Sequence, residues 1–158
     1  MPTLPPLIEE DIQRLDCYLN DLLAKSEATA ALIIDKGGFL VVKQGDAERF
    51  DATTLAALAS GAFLANEQIA SIIGEPNFNS VYQQGDNQSL LILNVDEQSL
   101  LVVIFKAGIS VGAVKYYATS TALQITEQMQ VAQQRAPGAG LDLSIMNLAD
   151  PSSLFRKK

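Results

Sequence analysis

Asp35 stands immediately before Lys36-Gly37-Gly38, and Asp51 immediately before a long apolar run, and the two carboxylates could pair across the base of a hairpin, the arrangement acid/base chemistry needs. Each also has a simpler role. An aspartate beside a glycine turn commonly accepts from turn amides, and one ahead of a helix commonly caps it. Cys17 is the single cysteine and there is no histidine, which removes an internal disulfide, a Cys–His nucleophile and a His-based metal site. Cys17 falls on the polar side of a helix with no cation or helix N-terminus to lower its pKa, and is read as an incidental thiol. The glycine pair mimics a phosphate loop, but neither G-x-G-x-x-G nor G-x-x-x-x-G-K-[ST] is present, and a strand rather than a helix follows. No nucleophile, base and orienting group can be assembled, so the expectation is no catalytic residue, no cofactor and no metal ligand.

With 158 residues, 48% of them hydrophobic, the chain is sized for one domain with a real core plus a tail. A net charge of −7 repels nucleic acid and anionic membranes, so neither is expected as a partner. Arg156-Lys157-Lys158 is the one basic cluster and reads as a solvated terminus. MPTLPPLIEE lacks the basic and apolar regions of a secretory signal, and no run approaches the ~20 apolar residues of a membrane span. The expected location is the cytoplasm.

The elements follow in order. Residues 2–6 are Pro-rich and extended, and the first helix begins near Leu7, with Ile8, Ile12, Leu15, Leu19, Leu22 and Leu23 on one face and acids early, where the helix dipole favours them. Ala28 to Asp35 and Phe39 to Lys43 make a hairpin, its two glycines supplying positive φ angles. A polar loop, residues 44–50, leads to a helix from Asp51 to Glu75 that stops at Gly74, with Pro76 beyond. Ser80 to Gln84, Ser89 to Val95 and Ser99 to Phe105 are strands whose short connections require antiparallel neighbours. The last of these is apolar throughout and belongs mid-sheet. From Ser110, Val111, Val114, Ala118, Ala122, Ile125, Met129 and Ala132 keep helical spacing, although the first half would also suit a strand. The domain therefore covers residues 1–134, with its core at about 7–132; residues 135–140 form a Pro/Gly linker and 141–158 an apolar tail with a basic end.

The long helix has two packable faces. Leu55, Leu58, Ala62, Ala65, Ile69, Ile72 and Ile73 recur as a core stripe. The opposite side carries Ala57, Gly61, Leu64 and Gln68, flanked by Ser60 and Ser71, small and nearly uncharged where a solvated surface should be charged. Ala52 to Ile73 spans roughly 33 Å at about 1.5 Å per residue, so a second helix can lie along it. In the tail, Leu148, Leu154 and Phe155 belong to an apolar load that docks either on its own domain or on a partner.

ALIIDKGGFLVV, the span from DATTLAALASG to IIGE, and LLVVIFKAGISVGAVK, in this order, resemble the Roadblock family of small-GTPase regulators and dynein light chains, and within it the bacterial MglB-type regulators of the Ras-like GTPase MglA. The resemblance covers roughly Leu7 to Ala132 and rests on diffuse apolar patterns. It implies an α/β/α layer: a five-stranded antiparallel sheet with the long helix on one face and two helices on the other. It further implies a homodimer built on paired long helices and joined edge strands, docking of an MglA-like Ras-like GTPase beside that pair, and stimulation of GTP hydrolysis by positioning rather than by an arginine finger, in cell polarity or motility. Arg49, ahead of the long helix, is the one candidate finger among Arg14, Arg49, Arg135 and Arg156. Phe63, Leu64, Asn66, Glu67 and Gln68 replace the Ala and Gly that MglB-type helices keep here, which favours the alternative of a non-catalytic adaptor that recruits another protein without affecting nucleotide turnover.

Overall fold

The computed structural model describes residues 4–135. Helix α1 (Glu9–Ser26) is followed by the hairpin β1 (Ala30–Asp35) and β2 (Leu40–Gly45), then by α2 (Ala52–Ile73). Strands β3 (Ser80–Gln84), β4 (Gln88–Asn94) and β5 (Ser99–Lys106) precede α3 (Val111–Gln134). A short 3-10 turn at Ala47–Arg49 lies in the loop before α2. The five strands form one sheet in the order β2-β1-β5-β4-β3, and every pairing is antiparallel. β5 is central, as its unbroken apolar run requires, because side chains on both faces of a central strand are covered.

Alternation divides the core in two. Ala31 and Ile33 of β1, Leu91 and Leu93 of β4, and Leu101, Val103 and Phe105 of β5 face a layer made by α1 and α3. Leu32 and Ile34, Ile92, and Leu100 and Val102 face α2. Val102 lies opposite both Leu32 and Ile92 in the registers, so three strands present one continuous apolar row to that helix. The α3 spacing holds: Val114, Ala118, Ala122, Ile125, Met129 and Ala132 are buried, and Ser110 caps the helix by accepting from the Ala113 amide at 3.3 Å.

The hairpin turn differs in one detail from expectation. Only Gly38 has positive φ, +99°, and a Cβ there would stand 3.4 Å from the Cα of Ala57, so this glycine also lets the turn approach α2. The tail residues Leu148, Leu154 and Phe155 lie outside the described residues.

The largest correction concerns the orientation of α2. Its buried residues are Ala52, Ala56, Ala59, Ser60, Phe63 and Ala70. Of the expected core stripe, Leu55 and Ala62 are half-buried at its border, whereas Leu58, Ala65, Ile69, Ile72 and Ile73 are exposed. The physical reason is size. Alanines let the helix axis settle close to the sheet, and one large ring, Phe63, fills the remaining volume, while the bulkier aliphatics turn outward. α2 is also long and apolar enough, by length and composition, to cross a membrane, contrary to the expectation that no run reaches that threshold. A helix apolar on both faces passes this test while packing on a sheet.

Candidate functional site

The exposed side of α2 is the surface that the fold leaves unfinished. Ala57, Gly61, Leu64, Gln68 and Ser71, expected there from sequence, are all exposed. Ser60 is not: it is 4% exposed and its hydroxyl donates to the Lys36 carbonyl at 2.6 Å, tying the helix to the hairpin turn. That correction follows from the same rotation. The turn carbonyl needs a donor, and Ser60 is the residue of α2 that faces it. In exchange, Leu58, Ala65, Ile69 and Ile72 join the open face, Leu58 at 66% and Ile72 at 83% exposure. Sequence periodicity detected these residues but assigned them to the wrong side.

Glu67 is the sole charged residue between Ala52 and Ile73, and it points away from this face. It lines a polar depression of about 310 Å³ beside α2 with Lys36, Asn77, Asp96 and Glu97. Lys36 Nζ sits 5.6 Å from the centre of the Phe63 ring. An apolar centre bordered by charged groups is the general plan of a protein–protein contact. The bulky substitutions expected to reshape the surface separate into two sets. Phe63 is core, and Asn66 and Glu67 lie at the border, so only Leu64 and Gln68 change the open face.

Both ends of α2 are fixed. Asp51 accepts from the Thr54 amide at 3.1 Å and the Thr54 hydroxyl at 2.7 Å, and these bonds hold its carboxyl below the usual range. Gly74, at φ +81°, closes the C-terminus through the Ala70 and Ser71 carbonyls. Gly61 has open space where a Cβ would stand, so nothing inside the subunit requires glycine there.

The chemistry-bearing candidates occupy structural roles. Asp35 accepts from the Phe39 amide at 2.9 Å within its turn and is not paired with Asp51. Cys17 is exposed. Arg49 is exposed and bonded to Asp46 at 3.0 Å. The residue that sequence reasoning missed is Asp11, an acid in the first turn of α1 that is completely buried. Its carboxylate accepts from Gln128 Nε2 at 2.7 Å, from the Arg135 guanidinium at 2.8 Å and from the Ile8 amide at 2.9 Å. Burial opposes its ionised form, but the bonds from Arg135, Ile8 and Gln128 outweigh burial and the carboxyl lies below its ordinary value. This group locks α1 to the end of α3 and contains no reactive arrangement.

The sequence matches the model of the Roadblock/LC7 domain over residues 16–105. Among solved structures the chain is similar to Myxococcus xanthus MglB, at 26% identity with a TM-score of 0.76, covering 82% of this chain and 98% of that one. An MglB solved in a tetrameric arrangement is 24% identical, with a TM-score of 0.76 over 84% of this chain and 99% of its own. The gliding protein MglB from Thermus thermophilus is also 24% identical, with a TM-score of 0.74 over 83% of this chain and 99% of its own. Among curated proteins no sequence matches.

Proposed function

Because this chain belongs to the Roadblock/LC7 family, whose members are generally regulators or adaptors, we propose that it is a homodimeric, cytoplasmic regulator of a Ras-like small GTPase. The observation that carries this reading is the charge-free, solvent-facing side of α2 on a fold that superposes on MglB over nearly the whole of that chain. Self-association finds support in the tetrameric arrangement named for one similar MglB. In this reading α2 pairs with α2 of a second copy, and the GTPase docks along the pair and its polar rim. The regulator contributes surface rather than a reacting group, holding the GTPase's own residues in place. Arg49, turned toward Asp46 in its own loop, is not needed as a finger.

Co-elution of the full chain with a GTP-loaded Ras-like GTPase, with hydrolysis followed in the same mixture, tests the proposal. Accelerated hydrolysis in a co-eluting complex is expected, and absence of a complex overturns it. An Arg49→Ala variant is expected to keep the stimulation; a loss near the ~10³ or more that a finger supplies would replace positioning with finger chemistry.

A second reading is favoured by Leu64 and Gln68, which add bulk to the face where a GTPase would sit. In it the dimer is an adaptor that recruits another protein and leaves nucleotide turnover alone. Co-elution with unchanged hydrolysis selects this alternative.

A further inference from the structure

α3 has an exposed apolar strip of its own, on the opposite side of the sheet from α2. Tyr116 and Leu123 lie about two turns apart on its outer side, 73% and 63% exposed, and Val131 continues the strip at 54%. Two adjoining depressions, of about 450 and 300 Å³, share Lys115, Thr119 and Leu123 as lining; Tyr116 bounds the first, and Leu93 and Val95 of the β4 end bound the second. They form one groove along the N-terminal half of α3.

The chain leaves the described domain on this side. α3 ends at Gln134; the capping residue Arg135 has an extended backbone at φ −61° and ψ 142°, and its side chain is held by Asp11 between α1 and α3. The six residue steps from Arg135 to Leu141 can span at most about 20–22 Å. Doubling back from Arg135 to the level of Leu123 requires about 18 Å along the helix axis. Leu141, the first apolar residue after the linker, therefore reaches the edge of the groove with little slack, whereas the open face of α2 lies around the edge of the sheet. Composition matches as well. LDLSIMNLAD, residues 141–150, combines aliphatic residues with Asp142 and Asp150 and has no cation, while among the described residues Lys115 is the one charged residue lining the groove.

We propose that residues 141–150 of this chain dock in cis on the groove of α3 at Lys115, Thr119 and Leu123. The segment covers its own domain on the face away from the open side of α2, leaving that side free for partners. The apolar residues bury against Leu123 and Tyr116, and an acidic side chain pairs with Lys115.

Disulfide trapping in the full-length protein tests this placement. With the exposed thiol removed by Cys17→Ser, the pair Thr119→Cys and Ser144→Cys is oxidised mildly and read on a non-reducing gel. An intrachain disulfide is expected to form at least tenfold faster than in a control pair on the other side of the sheet, Ala57→Cys with Ser144→Cys. Adding Leu123→Glu, at an exposed position of α3, is expected to slow the first pair to the control rate. Equal rates for the two pairs, a rate unmoved by Leu123→Glu, or predominant cross-linking between chains each overturns docking in cis, the last by assigning the groove to the segment of a second copy.

Discussion

On one side of the sheet two helices complete each other. Leu15, Leu19 and Leu22 of α1 and Val114, Ile125 and Met129 of α3 share one cluster, and Asp11, Gln128 and Arg135 close its far end with charge-assisted bonds. On the other side a single helix covers the sheet, with alanines and one phenylalanine inward and leucines and isoleucines outward. The first layer spends its bulky aliphatics on internal packing and secures the join with buried polarity. The second sets its bulky aliphatics in water and is held to the hairpin by one hydroxyl, that of Ser60. One layer is finished within the subunit; the other has the composition of a core cut in half, which is how obligate interfaces are made.

The sharpest way to break this contrast is in the finished layer. Asp11→Ala leaves the buried Gln128 amide and the inward-turned guanidinium without their acceptor, and is expected to cost about 3 kcal/mol in urea denaturation while leaving self-association of the folded protein unchanged. Gly61→Arg is the converse experiment. There is space for the side chain within the subunit, and arginine is a better helix former than glycine by up to about 0.8 kcal/mol, so the single chain should fold at least as well as wild type. A charge in the centre of the open face should nonetheless weaken self-association at least about hundredfold, or ~2.7 kcal/mol, by sedimentation. A Gly61→Arg protein that sediments and binds partners as wild type does would remove α2 as the interface.

Acidification distinguishes the layers without a large structural change. Because the folded-state pKa of Asp11 is lowered from 3.8, its ionised form contributes stability that is fully present above 3.8 and lost as pH falls through the lower folded value. The stability gap between wild type and Asp11→Asn should therefore narrow as pH drops from about 5 to about 2 in equilibrium unfolding. A gap that stays constant would show that the charge contributes nothing. The smallest effect belongs to Ser60→Ala, about 1 kcal/mol, because it removes one donor from the Lys36 carbonyl and leaves the apolar packing of α2 intact.

The same contrast explains what could be read from sequence. The strands were legible because runs such as Leu100 to Phe105, rich in β-branched and large aliphatic residues and bounded by turn residues, admit few other conformations. The α3 stripe was legible because its outward positions are mostly Gln, Thr, Lys and Glu, so polarity marks the inner face. On α2 both sides are apolar. Periodicity then fixes the spacing but not the rotation, and the larger residues were placed inward when alanines occupy that position. Asp11 was illegible for a different reason: an acid in the first turn of a helix looks like a solvated favourable charge, and Arg135, its partner 124 positions away, sits where the chain reads as linker.

The central position of β5 also sets a timetable. The β1–β2 hairpin is made early in synthesis, but its other neighbour, β5, begins only at Ser99, and the clasp on Asp11 waits for Arg135. At roughly 5–20 residues per second, the inner edge of β1 waits about 3–13 s on the ribosome before its partner is translated, with α2 already exposed beside it. Until Ser99 is translated, an unpaired strand edge and an apolar helix face coexist, the combination that makes a partly folded chain prone to mispairing.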